Sequence, residues 1–246
     1  MAALGQVSKL WRYPVSSLAG QPMSEMFLGP AGAQGDRRYG VFDVGSGLVA
    51  APDRDPARWG RAPLVRTRLS EAGELEVATA SGRWLAAPAS ASDRALSDYL
   101  GFEVTVRPYL EDGPQPVDGS MAAPRYRKAP VHLLTTASLA RLKALHPGAV
   151  PDPRRFRPSI LIEMPEVDGA FPESEWLGRR LAVGEVELTV SEPCRRCGFT
   201  ILAQEGFGHD PGILRTLVRH NAHNIGVYCT VERAGSVGLG QPLRFL

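Results

Sequence analysis

Short runs of alternating apolar and polar residues fill the first third of the chain, separated by Gly, Pro and Asp. Alternation with a period of two is typical of half-buried β-strands, and the β-branched and aromatic residues in these runs favour the same assignment. The runs predict strands over residues 7–13, 37–44, 61–69, 74–79 and 103–109. Strands this short and this closely spaced indicate a barrel or a strongly bent sheet.

Two later segments have a different pattern. Residues 92–101 predict a short helix, which Ser92 or Asp93 can cap and Gly101 can end. Residues 111–125 contain three prolines and two glycines without periodic apolar positions, which is typical of a linker. We therefore predict two domains, residues 1–115 and 116–246.

The second part of the chain predicts a β-rich α+β domain. A strand at 131–134 leads to Thr135 or Thr136, either of which can cap a helix that runs to about Leu145. The remaining predicted elements are an apolar strand entered from a basic turn within 155–162, an alternating strand at 181–190, a helix around 212–220, a strand at 225–231 and a closing strand near Leu243.

Composition narrows the class of protein. With Lys+Arg 28 against Asp+Glu 26, the formal net charge is only +2, which argues against a general nucleic-acid binder. Three cysteines are too few for a disulfide framework in a chain of 246 residues. The first twenty residues lack a secretory pattern, and no apolar run is long enough to span a membrane. We expect a cytoplasmic protein with neither a membrane nor a nucleic acid as partner.

The clearest chemical motif is Cys194-Arg195-Arg196-Cys197. Neighbouring positive charge lowers the pKa of a thiol, and the thiolate is the form that binds metals. Each arginine also offers a planar set of donors suited to phosphate. The combination suggests a site for a metal carried by a phosphorylated cofactor.

Other interpretations of the cysteines stay open at this point. A zinc site of three cysteines and one histidine could form with Cys229 and either His220 or His223. A thioredoxin-like motif would open a helix, whereas residues 198–202 predict a strand. The two cysteines could also simply be small buried apolar residues, although the arginines between them weaken that interpretation.

Three further segments carry polar groups at predicted turns. Pro158 is expected to hold Arg157 extended, with Ser159 able to form a short-range hydrogen bond. Arg37 lies where the turn at 35–38 enters a strand, and Ser16 follows the first strand. Each segment alone is weak evidence for a site.

Taken in order, the segments resemble the MOSC proteins, which are named after the C-terminal domain of molybdenum cofactor sulfurase. The N-terminal part resembles the β-barrel domain that precedes MOSC in many members, among them the mitochondrial amidoxime-reducing component. The motifs that carry the resemblance are Trp-x-Tyr-Pro-Val-x-Ser at 11–17, Gly-Asp-Arg-x-Tyr at 35–39, Leu-Leu-Thr-Thr-Ala-Ser-Leu at 133–139, Phe-Arg-Pro-Ser-Ile at 156–160 and Pro-Cys-x-Arg-Cys at 193–197.

The resemblance implies a fold of two packed β-barrel domains and a pyranopterin molybdenum cofactor between them. In the amidoxime-reducing relatives the second cysteine ligates the metal, which corresponds to Cys197 here. The arginines that would meet the cofactor's phosphate and dithiolene are Arg37, Arg157, Arg195 and Arg196. Two positions depart from the mitochondrial pattern, because Ser16 stands in place of Lys and Ser159 in place of Asn. Lys128, where the relatives have a hydroxyl residue, could restore the charge missing at Ser16.

The resemblance further implies reduction of N-hydroxylated compounds such as amidoximes, hydroxylamines and N-hydroxylated bases. The sequence contains no ferredoxin cysteine pattern, so we expect electrons from a separate flavoprotein or small redox protein. By residue type, His132, His209 and His223 are candidates for the general acid. Two alternatives are a sulfur carrier that uses a cysteine persulfide and a protein that binds or delivers the molybdenum cofactor.

Overall fold

The fold of the chain is seen in a computed structural model, which describes residues 2–109, 130–167 and 169–246. The predicted domain boundary and Lys128 lie outside the described residues. The strands in the first described range are β1 Gly5–Arg12, β2 Gln21–Met23, β3 Glu25–Gly29, β4 Gly32–Ala33, β5 Tyr39–Asp43, β6 Arg66–Leu69, β7 Leu75–Ala78, β8 Leu85–Ala87 and β9 Val104–Pro108.

The remaining strands belong to the second part of the chain. They are β10 Val131–Thr135, β11 Ile160–Glu163, β12 Arg180–Val183, β13 Val186–Arg195, β14 Asn224–Arg233, β15 Gly235–Gly238 and β16 Pro242–Phe245. The described α-helices are α1 Pro56–Trp59, α2 Ser90–Leu100, α3 Thr136–Leu145 and α4 Pro211–Asn221.

A closed barrel of seven strands forms the larger unit. Its order is β11-β10-β14-β13-β12-β16-β1, and pairing of β1 with β11 closes it. The strand β1 is antiparallel to both neighbours, with Leu10 opposite Ile160 and Gly5 opposite Leu243. The first strand of the chain is therefore part of a barrel whose other six strands come from residues 131–245.

The barrel interior is filled by the inward-facing residues of these strands. Every second residue of a strand points inward, so the alternation seen in the sequence supplies the core. Burying one such leucine or valine contributes about 1.5–3 kcal/mol. Fully buried members of this core include Val7, Leu10, Leu133, Ile160, Leu188, Val227 and Cys229.

The smaller unit is built from residues of the first described range. The strands β5 and β9 form one antiparallel pair, and β6, β7 and β8 form a three-stranded sheet. The helix α2 contacts β8 and β9, and its Leu96 is fully buried in a separate apolar core. The prediction of a β-rich fold with two barrel-like units is confirmed.

Several element predictions need correction. Residues 61–69 are not one strand, because Ala62–Leu64, which includes Pro63, form a 3₁₀ turn before β6. The helix predicted at 92–101 begins earlier, and the Ser92 hydroxyl accepts from the Ala89 amide at 3.1 Å within its first turn. Gly101 does end this helix, with the left-handed φ of 88° that favours glycine.

Two further corrections concern the second part of the chain. Residues 181–190 form a hairpin of β12 and β13, which turns at Gly184 with a φ of 56°. The apolar run predicted as a strand after Cys197 is a 3₁₀ turn at Gly198–Ile201. Short apolar runs do not distinguish strand from helix by pattern alone. The Thr135 cap of α3 is confirmed, because its hydroxyl accepts from the Ser138 amide at 3.1 Å.

Candidate functional site

The turn from Cys194 to Cys197 follows the last residues of β13. Pairing of β13 with β14 is irregular between Pro193 and Arg195, and the chain then leaves the sheet. Cys197 precedes the 3₁₀ turn, where its carbonyl accepts from the Thr200 hydroxyl at 3.0 Å. This path leaves Cys194 fully buried and Cys197 partly exposed.

The side chain of Arg196 bonds to the first of the two cysteines. One guanidinium nitrogen donates to the Cys194 sulfur and the other to the Phe156 carbonyl, both at 2.6 Å. The Arg196 amide donates to the His223 carbonyl at 2.8 Å. The side chain thus joins the cysteine turn to the turn that precedes β11.

Arg155 stabilises the segment that follows Cys197. Its guanidinium is buried, with one nitrogen donating to the carbonyls of Thr200 and Leu202 at 3.2 and 3.1 Å. The sequence predicts a basic turn at Arg155 but no structural role for its side chain. Because its donors bond to backbone carbonyls, Arg155 holds the 3₁₀ turn in place.

Two arginines contact the ring of Tyr13, and the charge of a third acts on it. The guanidinium carbons of Arg157 and Arg37 lie 4.2 and 5.1 Å from the centre of its ring. Burial raises the pKa of Tyr13, while the charges of Arg157, Arg37 and Arg196 act to lower it. Three arginine charges therefore act on Tyr13, and the carboxylate of Asp36, which pairs with Arg37, opposes them.

Arg37 and Arg157 both occupy the left-handed region of backbone conformation, with φ of 48° and 55°. Such a conformation costs a residue other than glycine about 1–3 kcal/mol and is concentrated at functional sites. Arg37 pairs with Asp36, and Arg157 donates to the Leu18 carbonyl. The prediction that Pro158 holds Arg157 extended is wrong, because the turn directs the Arg157 side chain back over Tyr13.

The thiol of Cys197 has a different environment from the one predicted. Burial raises the pKa of Cys197, and the carboxylate of Asp53 raises it further. The Phe199 amide and the Arg196 charge act in the opposite direction but do not outweigh these effects. The expectation that the neighbouring arginines lower the pKa of this thiol is therefore wrong.

Asp53 lies near the site and was not predicted from the sequence. It belongs to an exposed turn before α1 in the smaller unit, and a side chain at Gly198 would lie 3.2 Å from its carbonyl oxygen. Nothing in the local pattern distinguishes this aspartate from a solvent-exposed turn residue. Only the packing of the two units brings it to Cys197.

The other predicted site residues occupy different positions. Ser159 is buried, and its hydroxyl accepts from the His132 amide at 3.4 Å. The Ser16 hydroxyl contacts the Tyr39 carbonyl and the Tyr109 hydroxyl. Arg195 is exposed on the cysteine turn. The structure thus places Arg37 and Arg157 at the Tyr13 ring, and the Arg196 charge acts on both Tyr13 and Cys197. Arg37 also lines a cavity of about 950 Å³ with Arg38, Tyr39 and Tyr109.

The zinc site of three cysteines and one histidine is not formed in the part of the chain that the structure describes. Cys229 is fully buried in the barrel core, where burial raises its pKa to about 12. Across residues 2–109, 130–167 and 169–246, no group of three or more His, Cys, Asp or Glu could hold a metal ion. Any metal bound at Cys197 would need most of its ligands from a cofactor.

The histidines considered as general acids also differ in position. His132 is fully buried, and burial, reinforced by the charge of Arg196, lowers its pKa to about 3. It is neutral near pH 7 and has no proton to give there as a cation. His209 is exposed, and His223 contributes its carbonyl to the Arg196 amide.

Fold and site together define a β-barrel protein with a partly exposed thiol next to arginine side chains. The family model of the MOSC domain matches residues 112–244, and that of the MOSC N-terminal beta barrel domain matches residues 4–109. The chain therefore belongs to the MOSC family and carries the N-terminal barrel domain as well.

Comparison with solved structures found distant similarities. The YuaD protein from Bacillus subtilis is 12% identical, with a TM-score of 0.47 over 97% of this chain and 93% of that one. YiiM from Geobacillus stearothermophilus is 15% identical, with a TM-score of 0.36 over 48% of this chain and 54% of that one. A search of curated proteins found no match. None of the helices in the described ranges is both long and apolar enough to cross a membrane.

Proposed function

We propose that the protein binds a pyranopterin molybdenum cofactor and uses it to reduce N-hydroxylated compounds. The observation that carries the proposal is a partly exposed thiol directly after Arg196, whose charge acts on Tyr13 together with the charges of Arg37 and Arg157. Membership of the MOSC family supports the cofactor class, since MOSC domains are associated with molybdopterin binding in general.

The residues of the site fit this cofactor chemically. A thiolate is a soft ligand suited to molybdenum, and Cys197 is the more exposed thiol of the pair. Guanidinium groups bind phosphate by charge and hydrogen bonding. Arg37 and Arg157 would hold the phosphate, and Arg196, whose terminal nitrogens donate to Cys194 and Phe156, would add its charge. Arg195 is exposed at the edge of the site and would contribute less to binding. The bound cofactor would supply two-electron redox chemistry.

The chain's own groups would bind, orient and shield the cofactor. Reduction of an N–OH group consumes two electrons and two protons, breaks the N–O bond and yields the amine and water. The electrons would come from a separate flavoprotein or small redox protein. Cys197 would hold the metal through its thiolate, and the arginines would hold the phosphate of the cofactor.

The decisive experiment measures the cofactor before activity. Protein made in a host that synthesises the cofactor is analysed for molybdenum and pterin, then assayed with reduced viologen and benzamidoxime. The proposal requires near-stoichiometric metal and pterin together with turnover. Cofactor without turnover would support a delivery protein instead, and protein free of both would exclude the proposal.

Sulfur transfer is the second candidate, and the partly exposed Cys197 thiol is the observation that favours it. Sulfur transfer by a cysteine proceeds through its thiolate, whereas burial and Asp53 raise the pKa of Cys197. The thiol is therefore poorly suited to transfer in the absence of a metal. A labile persulfide on Cys197 in metal-free protein would establish this candidate.

A further inference from the structure

The turn at residues 35–38 is bonded to the end of β1. Within it, the Arg37 amide donates to the Tyr13 carbonyl at 2.7 Å. Gly35 and Arg37, on either side of Asp36, both have a left-handed backbone, with φ of 80° and 48°. For an arginine this conformation is costly and persists only where the surrounding contacts impose it.

The carboxylate of Asp36 divides its two oxygens between two partners. Its Oδ1 accepts from the Tyr13 amide at 2.6 Å, and its Oδ2 pairs with the Arg37 guanidinium. Only 7% of the Arg37 side chain and 8% of the Asp36 side chain are exposed, so water screens this ion pair little. Because the Tyr13 amide fixes the carboxylate, the guanidinium that pairs with it is fixed as well.

This contact decides where the Arg37 guanidinium lies. Its central carbon is 5.1 Å from the centre of the Tyr13 ring, and Asp36 and Arg37 both line the cavity of about 950 Å³. An arginine side chain has many rotamers, and ordering it when an anion binds would weaken the binding. With Asp36 in place, Arg37 is ordered when the protein folds, before an anion binds.

We infer that Asp36 is a positioning residue, whose carboxylate holds the Arg37 guanidinium where it binds an anion. The inference rests on the proposed function only for the identity of the anion, which is the phosphate of the cofactor. A carboxylate near an anion also repels it. Positioning and repulsion therefore predict opposite results when the charge of Asp36 is removed.

The variant Asp36→Asn removes the charge and keeps the size of the side chain. Its single oxygen can accept from the Tyr13 amide or from the Arg37 guanidinium, but it cannot divide as the carboxylate does. We expect cofactor retention to be roughly tenfold weaker than in wild type. When Arg37→Ala is already present, adding Asp36→Asn should change retention no further, because Asp36 acts through Arg37.

Asp43 offers a matched control in the smaller unit. Its Oδ1 accepts from the amides of Gly45 and Ser46 at 2.8 and 3.1 Å, and its Oδ2 pairs with Arg58. Asp43→Asn therefore disturbs the same combination of backbone bonds and ion pair at residues that the proposed site does not include. Cofactor retention should remain at the wild-type level in this variant.

A readout without the cofactor keeps the test independent of the proposed function. Protein labelled with ¹⁵N in arginine side chains gives guanidinium resonances for Arg37, identified by their loss in Arg37→Lys. A guanidinium paired with a fixed carboxylate rotates slowly, which separates the resonances of its two terminal nitrogens. We expect these resonances to merge in Asp36→Asn and to stay as in wild type in Asp43→Asn.

Three results would overturn the inference. The first is unchanged or tighter cofactor retention in Asp36→Asn, and tighter retention would mean that repulsion is the larger effect. The second is a further loss of retention when Asp36→Asn is added to Arg37→Ala. The third is a set of Arg37 resonances that does not respond to Asp36→Asn. If wild-type protein contains no molybdenum or pterin, the proposed function fails, but the Arg37 resonances still decide the role of Asp36.

Discussion

Single residues decide which thiol can meet a ligand. Cys194 and Cys197 belong to one turn, yet Cys194 is fully buried and accepts a hydrogen bond from Arg196. Cys197 is partly exposed and faces Asp53 and the Arg196 charge. In this arrangement Cys194 holds an arginine in place, and Cys197 is available to a metal.

Alanine substitutions should separate the two cysteines. Cys197→Ala is expected to lose bound molybdenum completely, because it removes the proposed protein ligand. Cys194→Ala should keep most of the metal and lose about 1–3 kcal/mol of stability, as a buried acceptor of the Arg196 guanidinium is removed. Metal analysis and chemical denaturation of both variants check this. Metal kept in Cys197→Ala and lost in Cys194→Ala would reverse the assignment.

The neutral state of His132 should make stability depend on pH in acid. Burial and the charges of Arg196 and Arg37 lower its pKa to about 3, against the opposing effects of the Arg157 hydrogen bond and Glu173. Between that value and its unfolded pKa of about 6.5, the unfolded state binds more protons. Stability from this residue is thus full above pH ~6.5 and falls by up to ~1.4 kcal/mol per pH unit below it.

The comparison uses His132→Asn, which cannot take up the proton. Denaturant unfolding of both proteins between pH 7.5 and pH 4.5 should show wild type losing stability faster as the pH falls. Parallel stability curves for the two proteins would contradict the prediction.

At this scale the sequence indicated candidate residues but not their environment. Motif resemblance selected Cys197, Arg37, Arg157 and Arg196, and their role at a cofactor stays a prediction. The structure places Arg37 and Arg157 at the Tyr13 ring and Arg196 on the Cys194 sulfur. The raised pKa of Cys197 was not predictable, because it depends on burial and on Asp53, which is remote in sequence. Asp53 reaches the cysteine turn from another element.

At the scale of helices and strands, the buried carboxylate of Glu173 joins three elements. It belongs to the 3₁₀ turn Pro172–Trp176 and accepts from the hydroxyls of Thr135 and Ser138 at 2.8 and 2.6 Å. It also accepts from the Gly226 amide at 3.0 Å. One side chain therefore ties this turn to the start of α3 and to β14. Burial raises the pKa of Glu173 despite these bonds.

Removing this carboxylate should loosen the junction. Glu173→Ala leaves three buried donors without their acceptor and is expected to destabilise the protein by about 3–5 kcal/mol. The matched control is Glu175→Ala in the same turn, where an exposed side chain should change stability by less than ~0.5 kcal/mol. Thermal or denaturant unfolding measures both. Equal stability of the two variants would show that the junction does not depend on Glu173.

Element predictions succeeded where local signals are strong. The capping hydroxyl of Thr135 and the glycine at 101 define helix ends through contacts within a few residues. The hairpin of β12 and β13 was predicted as one strand, because its alternation continues through the turn at Gly184. The strand β15 was missed, since its glycine-rich sequence has no apolar alternation.

The whole molecule is organised around an exchange of strands between the two ends of the chain. The strand β1 completes the barrel between β11 and β16, and β15 pairs with β3 in a separate sheet. Fold class was predictable from strand density and family resemblance. This interleaving was not, because strand pairing across more than a hundred residues leaves no local pattern.

The exchange predicts that residues 116–246 do not fold alone. Without β1, the edges of β11 and β16 are left unpaired and the barrel core loses Val7 and Leu10. We expect this fragment to lack cooperative unfolding and amide dispersion in an NMR spectrum. Coexpression with residues 1–115 should restore a copurifying complex. A monomeric fragment that unfolds cooperatively would contradict this.

During synthesis on the ribosome, β1 is made long before its partner strand β16. About 230 residues separate β1 from its partner at the other edge, β16. At 5–20 residues per second, translation leaves β1 without that neighbour for roughly 10 to 50 s. During this interval its edge is open to wrong pairing with other nascent chains. Lys9 and Arg12 place positive charges on the strand, a device that opposes such pairing. The charge on β1 thus protects the chain before the barrel exists.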